Sequence, residues 1–147
     1  MNLSQKCQYA LRATFELARR RHEGAIKISD IASAQAIPPR FLELILNELK
    51  QGEFVRSRRG ASGGYELAVS PRTLTVGRII EVIDRPISPL KWLEGDAAFD
   101  RPLLGRCAFM DLWQRAREAV TDVYDNTTFE DLIERERAAS PAVNYCI

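Results

Sequence analysis

Three arginines precede a glycine-rich segment in the first half of this 147-residue chain. Arg56, Arg58 and Arg59 stand before residues 60–64, and no acidic residue follows until Glu66. Guanidinium groups bind phosphates and base edges, and glycine lets a backbone come close to another molecule. We therefore interpret this segment as a nucleic-acid contact. A loop that cradles a nucleotide phosphate is the alternative, but the segment lacks the G-x-x-x-x-G-K-[ST] pattern and no helix follows it directly.

A second polar group lies on one face of a helix predicted over residues 39–51. At 100° per residue, one side of this helix is apolar and holds Leu42, Ile45, Leu46 and Leu49. The opposite side holds Arg40, Leu44, Asn47 and Gln51. Because Arg and Asn hydrogen-bond base edges and a leucine can contact a thymine methyl, this face suits a DNA major groove. A merely solvated helix face is the alternative.

Cysteine and histidine, which most often ligate metals or act as nucleophile and base, are few in this chain. The single histidine argues against most zinc enzymes and against Ser/His or Cys/His triads, so we expect no enzyme. The three cysteines are odd in number and scattered, which predicts reduced thiols. Cys7 falls on the apolar stripe of the first predicted helix and suits packing. Cys107 begins a helix after Arg106, which favours a reactive thiolate there.

The elements that must position these groups are helices around one hairpin. Apolar spacing predicts a helix over residues 4–21, and Ser29 is predicted to be the N-cap of a short second helix. Pro39 begins the third helix and Gly52 ends it. Strands over residues 53–58 and 65–69 flank the glycine-rich turn, and Thr75 caps a fourth helix. Two helices a tight turn apart, followed by a basic hairpin, predict a winged helix-turn-helix domain in a mainly α fold with a small β-hairpin.

The second half of the chain is predicted to sense and to dimerise. Residues 85–106 show no helix or strand periodicity and hold isolated large side chains such as Trp92, which makes them a candidate sensing region. A long C-terminal helix from about Cys107 carries an apolar stripe, including Trp113, which we expect to form a dimer contact. The predicted capping box over residues 127–130 begins a last short helix. The divisions are thus a winged-helix DNA-binding domain over 1–84, a loop over 85–106, dimerisation helices over 107–137 and a tail over 138–147.

Charge is unevenly divided along the chain, although the formal net charge is only +1. Residues 1–72 hold 12 Lys/Arg against 7 Asp/Glu, and residues 73–147 hold 9 against 13, so a half of about +5 precedes a half of about −4. Such asymmetry suggests a nucleic-acid-binding part joined to a part with another task. No apolar stretch is long enough for a membrane span or a secretion signal, so we expect a cytoplasmic protein without membrane contact.

Four sequence motifs stand out, and together with the segments around them they form a pattern that covers nearly the whole chain. They are Leu3-Ser4-Gln5-Lys6, Ile28-Ser29-Asp30-Ile31-Ala32, Ile37-Pro38-Pro39-Arg40-Phe41-Leu42-Glu43 and, most specifically, Arg59-Gly60-Ala61-Ser62-Gly63-Gly64-Tyr65-Glu66-Leu67-Ala68. With this pattern the chain resembles the Rrf2 family of bacterial transcription regulators. The resemblance implies a homodimeric winged-helix repressor or activator whose long helix crosses that of its partner. It places the start of the recognition helix at Pro39-Arg40-Phe41 and the wing arginine at Arg59.

The resemblance also raises the question of an iron–sulfur cluster. Many such regulators carry three cysteines between the fourth helix and the long helix, and only Cys107 matches that set here. Some take a further ligand from the first helix of the other subunit, at positions matching Gln8 and Arg12, neither of which is an iron ligand. A cluster needs about four ligands, so we expect none. A cluster bridged by Cys7 and Cys107 of opposite subunits is the alternative.

We therefore expect a sequence-specific, dimeric DNA-binding transcriptional regulator, a repressor that binds an inverted repeat in double-stranded DNA. Its signal would be redox, a metabolite or a partner protein, sensed at Cys107, Cys7, Trp92 and Trp113. The alternatives are an interaction adaptor with a degenerate wing, an atypical iron–sulfur sensor and, least favoured, a thiol enzyme at Cys107. The predicted DNA contacts are Lys6, Ser29, Pro39, Arg40, Phe41, Leu44, Asn47, Arg56, Arg58, Arg59, Ser62 and Gly63.

Overall fold

A computed structural model describes residues 3–84 and 106–140, with side chains over 3–84 and 108–140. Within these ranges the elements run in the order α1 (Gln5–Arg19), α2 (Ile28–Gln35), α3 (Pro39–Gln51), β1 (Val55–Arg58), β2 (Gly64–Leu67), α4 (Val76–Asp84), α5 (Arg106–Asp125) and α6 (Phe129–Ala139). This mainly helical chain with one antiparallel hairpin confirms the predicted fold class. No helix of the described ranges has both the length and the apolar character to cross a membrane.

Helix α1 is the centre of the packing. Ser4 is its N-cap, and the Ser4 side chain accepts a hydrogen bond from Cys7 N at 3.0 Å. One face of α1 is buried among α2, α3, α4 and α6. The alanine side chains on this face are small, so the neighbouring helices can approach α1 closely. The opposite faces of those helices remain exposed to solvent.

The boundaries of α2 and α3 follow from local backbone chemistry. The prediction that Ser29 caps α2 is wrong: the helix begins one residue before it, at Ile28, and Lys27 is the N-cap. Lys27 has extended backbone angles, and its carbonyl already accepts from Asp30 N at 3.0 Å and Ile31 N at 3.2 Å. For α3 both predicted ends are confirmed, because proline fits the first helical turn and Gly52 follows the last residue.

The hairpin pairs Val55 with Leu67 and Arg58 with Gly64, so both strands are shorter than predicted. It is fixed to the body of the domain by Tyr65 and Ile26, whose backbone groups exchange two hydrogen bonds of 2.8 Å each. Gly64 makes this contact possible. Its φ is +153°, and a Cβ at this position would overlap the carbonyl of Ile26.

The junction between α5 and α6 is tied to the segment before α4. Val76 N donates to Thr127 O at 2.9 Å, and Phe129 N donates to Leu74 O at 3.0 Å. The capping box of α6 lies one residue later than predicted, with Thr128 as N-cap and Asp131 as its partner. The shift arises because Thr127 uses its backbone and hydroxyl oxygens in other bonds, its hydroxyl donating to Val123 O at 2.7 Å.

Candidate nucleic-acid interface

The outer face of α3 is exposed along its whole length. Four apolar residues form the buried face, namely Leu42, Ile45, Leu46 and Leu49. On the other side Phe41 and Leu44 remain 54% and 61% exposed, although both are large and apolar. Pro39, Arg40 and Asn47 are exposed with them. Exposed apolar side chains beside Arg and Asn are suited to contact bases and thymine methyl groups in a groove.

Phe41 is not free to move independently. Its ring lies 6.4 Å from the ring of Tyr9 on α1 at a tilt of 59°, and the guanidinium of Arg12 lies 5.6 Å from the Tyr9 ring. The Tyr9 hydroxyl in turn accepts from Gln5 at 3.0 Å. Aromatic pairs of this geometry stabilise the position of a ring by more than the surface that they bury. The first turn of α3 is therefore oriented by α1, a contribution that the sequence analysis did not identify.

The wing is the hairpin of β1 and β2 with the turn between them (residues 55–67), and it presents its arginines in a fixed arrangement. Arg56 and Arg58 project from the same face of β1, each with its side chain 63% exposed, and both donate through Nε to the same oxygen of Glu66, at 2.7 and 3.1 Å. Arg59 and Ser62 are exposed in the turn. Within the described ranges, Arg59 has no ion pair, unlike its two neighbours.

Glycine at position 63 permits the tight wing turn. A Cβ there would lie 2.5 Å from Arg58 O and 2.8 Å from Gly60 O, so the turn closes only around a residue without a side chain. The backbone of Gly60 has φ of +106°, which L-residues rarely adopt. Both glycines therefore shape the turn of the wing.

The wing and the amino end of α2 face each other across one cleft. Lys27, Ser29, Arg58 and Arg59 are among the residues that line it. No side chain caps α2, and residues 27–29 at its amino end line this cleft, so the positive end of the helix dipole lies beside the wing. Lys27 was absent from the sequence-based prediction. A position directly before a helix could have pointed to Lys27, but the prediction placed the N-cap of α2 at Ser29 instead.

Lys6 is engaged within the protein. Its ammonium lies 3.1 Å from a carboxylate oxygen of Glu48, which ties α1 to α3. In the same last turn of α3, Lys50 donates to the hydroxyl of Ser57 at 2.9 Å and ties the helix to the wing. Both side chains of the Lys6 pair are more than a third exposed, so this ion pair contributes little stability. The structure thus brings α1, α3 and the wing together, with Lys6 paired to an acid.

The candidate sensing residues do not form one cluster among the described residues. Cys7 is fully buried in the core. Burial, followed by the nearby charge and hydrogen bonding of Asp84, raises the pKa of its thiol to about 12, so the thiol is protonated at neutral pH. Trp113 is half-buried on α5 and stacks on Phe109 with ring centroids 6.5 Å apart. Trp92, the 85–105 part of the loop and the side chain of Cys107 lie outside the described residues, although Cys107 is the second residue of α5.

Comparison with known proteins agrees with this arrangement. The model of the Rrf2 family, described as an iron-dependent transcriptional regulator, matches residues 3–135. The HTH-type transcriptional regulator CymR of Bacillus subtilis is 38% identical over 132 residues, which is 90% of this chain and 89% of that protein. The solved structure of CymR (YrzC), the global cysteine regulator of B. subtilis, has a TM-score of 0.79 at 37% identity and covers 92% of this chain and 98% of its own. T. potens IscR has a TM-score of 0.76 at 31% identity, with 95% and 91% covered.

The winged helix and these relatives define the class of the protein: it is an HTH-type, DNA-binding transcriptional regulator. The chain belongs to the Rrf2 family. Both statements confirm what the sequence motifs implied, and they favour the regulator over the interaction adaptor.

The residues present do not fit an iron–sulfur cluster. A cluster takes about four ligands, chiefly thiolates, and the whole chain has three cysteines. Of these, Cys7 is enclosed in the core with its thiol protonated. Over residues 3–84 and 108–140 there is no group of three or more His, Cys, Asp and Glu side chains that could hold a metal ion. The described residues therefore offer no ligand set for a cluster.

Proposed function

We propose that this regulator is a homodimeric repressor that binds an inverted repeat, with α3 in the major groove and the wing in the adjacent minor groove. The observations that carry the proposal are the exposed outer face of α3 and the cleft that the amino end of α2 forms with the arginines of the wing. The helix α3 and the wing have the two shapes that the two grooves accept, a helix and a basic loop.

Individual roles follow from chemistry and exposure. Arg40 and Asn47 hydrogen-bond base edges, and Leu44 contacts a thymine methyl. Pro39 and Phe41 lie against sugars at the start of the helix, and the wing residues Arg56, Arg58, Arg59, Ser62 and Gly63 serve the minor groove and its phosphates. Lys6 and Ser29 contact phosphates, Lys6 by exchanging Glu48 for a phosphate oxygen.

The dimer is proposed to form through α5. Three of its large apolar residues stay about half exposed or more in the single chain, namely Phe109, Leu112 and Val123 at 57%, 49% and 60%. Among the described elements α5 packs chiefly on α4, which leaves this stripe uncovered. A second copy related by a two-fold axis would cover it and would match the symmetry of an inverted repeat.

The proposed division of labour keeps the boundaries inferred from the sequence. Residues 1–84 bind DNA, 85–106 receive the signal, 107–137 dimerise and 138–147 form a tail. The proposal for the signal is supported by connectivity: Asp84, the last residue of α4, accepts hydrogen bonds from the backbone N–H and the hydroxyl of Ser4, at the start of α1. A signal received directly after Asp84 therefore acts next to the N-cap of α1, and α1 orients the recognition helix.

The DNA-binding assignment is tested with a duplex obtained by selection from a random pool, here called the operator, and a scrambled duplex. Arg40→Ala should weaken operator binding by about 1–3 kcal/mol and relax the base preference at one position of each half-site. Arg59→Ala should weaken binding most when the flanking sequence is A·T-rich. The matched control is Arg137→Ala, which removes the same charge from an exposed site on α6. Equal affinities for all three variants and the wild type would refute the proposed interface.

The dimer is tested by sedimentation equilibrium and gel shift. Val123→Glu places a charge in the apolar stripe and should give a monomer that loses most operator affinity. Gln114→Glu is the matched control, since nine residues at 100° each put it on the opposite side of α5. If Val123→Glu remained dimeric, α5 would not form the interface.

A further inference from the structure

Glu66 is the one acidic residue of the hairpin, and its place is unexpected in a surface proposed to bind phosphates. Its carboxylate lies directly opposite Arg56 in the strand register, while Arg58 lies opposite Gly64, which has no side chain. Arg56 and Arg58 project from the same face of β1 because side chains alternate along a strand. The empty position at Gly64 lets the guanidinium of Arg58 turn toward Glu66.

The carboxylate is enclosed by the two arginines it binds. The Glu66 side chain is only 12% exposed, whereas the side chains of Arg56 and Arg58 are 63% exposed. Both guanidinium groups donate to the same oxygen, Oε1, and both use Nε, at 2.7 and 3.1 Å. The terminal nitrogens of each guanidinium make no hydrogen bond to the described residues. They are therefore available on the outer side of the wing.

We propose that Glu66 is a positioning residue for DNA binding, which holds the two guanidinium groups by their Nε atoms so that their terminal nitrogens face the DNA backbone. This rests on the proposed function of the wing. Free arginine side chains sample many rotamers, and ordering them upon binding costs affinity. Glu66 orders both before DNA arrives. Because the two arginines outnumber the one acid, the group keeps a net positive charge.

A positioning role and a purely electrostatic role of Glu66 predict opposite changes in operator affinity when Glu66 is replaced. If only charge mattered, removal of an acid from a phosphate-binding surface would strengthen binding to every DNA. If Glu66 positions the arginines, Glu66→Gln should weaken binding to the operator about tenfold, or ~1.4 kcal/mol. Its affinity for the scrambled duplex should stay unchanged or rise, because non-specific binding depends on charge more than on geometry.

The experiment compares wild type, Glu66→Gln and the control Glu53→Gln by fluorescence anisotropy on operator and scrambled duplexes at one salt concentration. Glu53 is exposed just before β1, and its substitution removes the same charge without touching the arginines. Glu53→Gln should bind both duplexes as tightly as the wild type or more tightly. Operator binding by Glu66→Gln that equals or exceeds that of the wild type would overturn the positioning role.

A second background separates positioning from a structural effect on the hairpin. In the double variant Arg56→Ala/Arg58→Ala, the further change Glu66→Gln should no longer weaken operator binding, since no arginine remains to be positioned. A loss that persists in this background overturns the proposal. If the double variant itself binds the operator like the wild type, Arg56 and Arg58 do not contact DNA and the function proposed for these two residues fails. If it loses affinity while Glu66→Gln does not, only the role of Glu66 fails.

Discussion

The attachment of the wing to the body of the domain should depend on the absence of a side chain at Gly64. Gly64→Ala would place a Cβ against the carbonyl of Ile26 and 2.9 Å from Lys27 N. These are backbone atoms, so they cannot move aside as a flexible side chain would. The wing must then shift away, and the two 2.8 Å hydrogen bonds between Ile26 and Tyr65 are lost or stretched.

The size of the effect follows from these two contributions. An alanine at a φ normally reserved for glycine costs about 1–3 kcal/mol, and two net hydrogen bonds are worth about 2 kcal/mol together. Gly60→Ala is the matched control, because Gly60 also has a positive φ of +106° but nothing lies within 4 Å of its would-be Cβ. Gly64→Ala should therefore be about 2 kcal/mol less stable than Gly60→Ala.

Urea and thermal unfolding of the wild type and the two variants, at the same protein concentration, measure this difference. For a chain of this size, ~2 kcal/mol corresponds to a gap of about 4–8 °C in Tm. Gly64→Ala should also lose operator affinity at temperatures where it is still folded, because its wing is displaced. Equal stabilities of the two variants would refute the reasoning that Gly64 is required for close backbone approach.

Three further predictions concern buried groups. The pKa of the Cys7 thiol is about 12 in the folded chain against 9.0 in the unfolded chain, so the unfolded thiol ionises first as the pH rises. The free energy of unfolding should therefore fall by ~1.4 kcal/mol per pH unit between those two values, and Cys7→Ala should make this fall less steep. Burial of Glu16 acts to raise the pKa of its carboxyl, but hydrogen bonds and charge from residues such as Arg19 outweigh burial and lower it, so stability from this group should be present above about pH 4.5 and be lost as the pH falls further. Glu16→Ala removes the hydrogen bonds from Arg19 and Gln35 and should cost about 2 kcal/mol in urea unfolding. Gly77→Ala should cost only about 1 kcal/mol by thermal unfolding, because its Cβ would overlap the Asp125 carboxylate, a flexible side chain that can rotate away, while the Asp125 Cα stays 3.3 Å off; a much larger loss would show that the carboxylate cannot move.

Local signals in the sequence were sufficient where one residue type has one strong preference. Pro39 and Gly52 bracket α3, and both predicted ends agree with the structure. The cap of α2 was mispredicted because Ser29 is a favoured capping residue, yet the extended backbone at Lys27 starts the helix one residue earlier. At α6 two adjacent threonines offered two registers, and the bond from the Thr127 hydroxyl to Val123 O left Thr128 as the cap. Propensity alone cannot choose between such neighbours, since the choice depends on contacts with other segments.

The candidate DNA surface also has parts that a local pattern predicts and parts that depend on the packing of separate elements. The outer face of α3 was predictable because helical periodicity separates Leu42 and Ile45 from Arg40 and Asn47 without any knowledge of the fold. The pairing of Lys6 with Glu48 was not predictable, since 42 residues separate them and only the packing of α1 against α3 brings them together.

The sequence by itself determined the family, the helix-turn-helix, the basic wing and the apolar stripe of the long helix, because motifs and periodicity are properties of consecutive residues. The tertiary structure decided how these parts face one another. Only the folded chain places Tyr9 beside Phe41, the amino end of α2 across a cleft from the wing, and the carboxylate of Glu66 between two arginines. The physical reason is that such contacts depend on the distances and directions between separate elements, which the packing of the core fixes and no local pattern encodes.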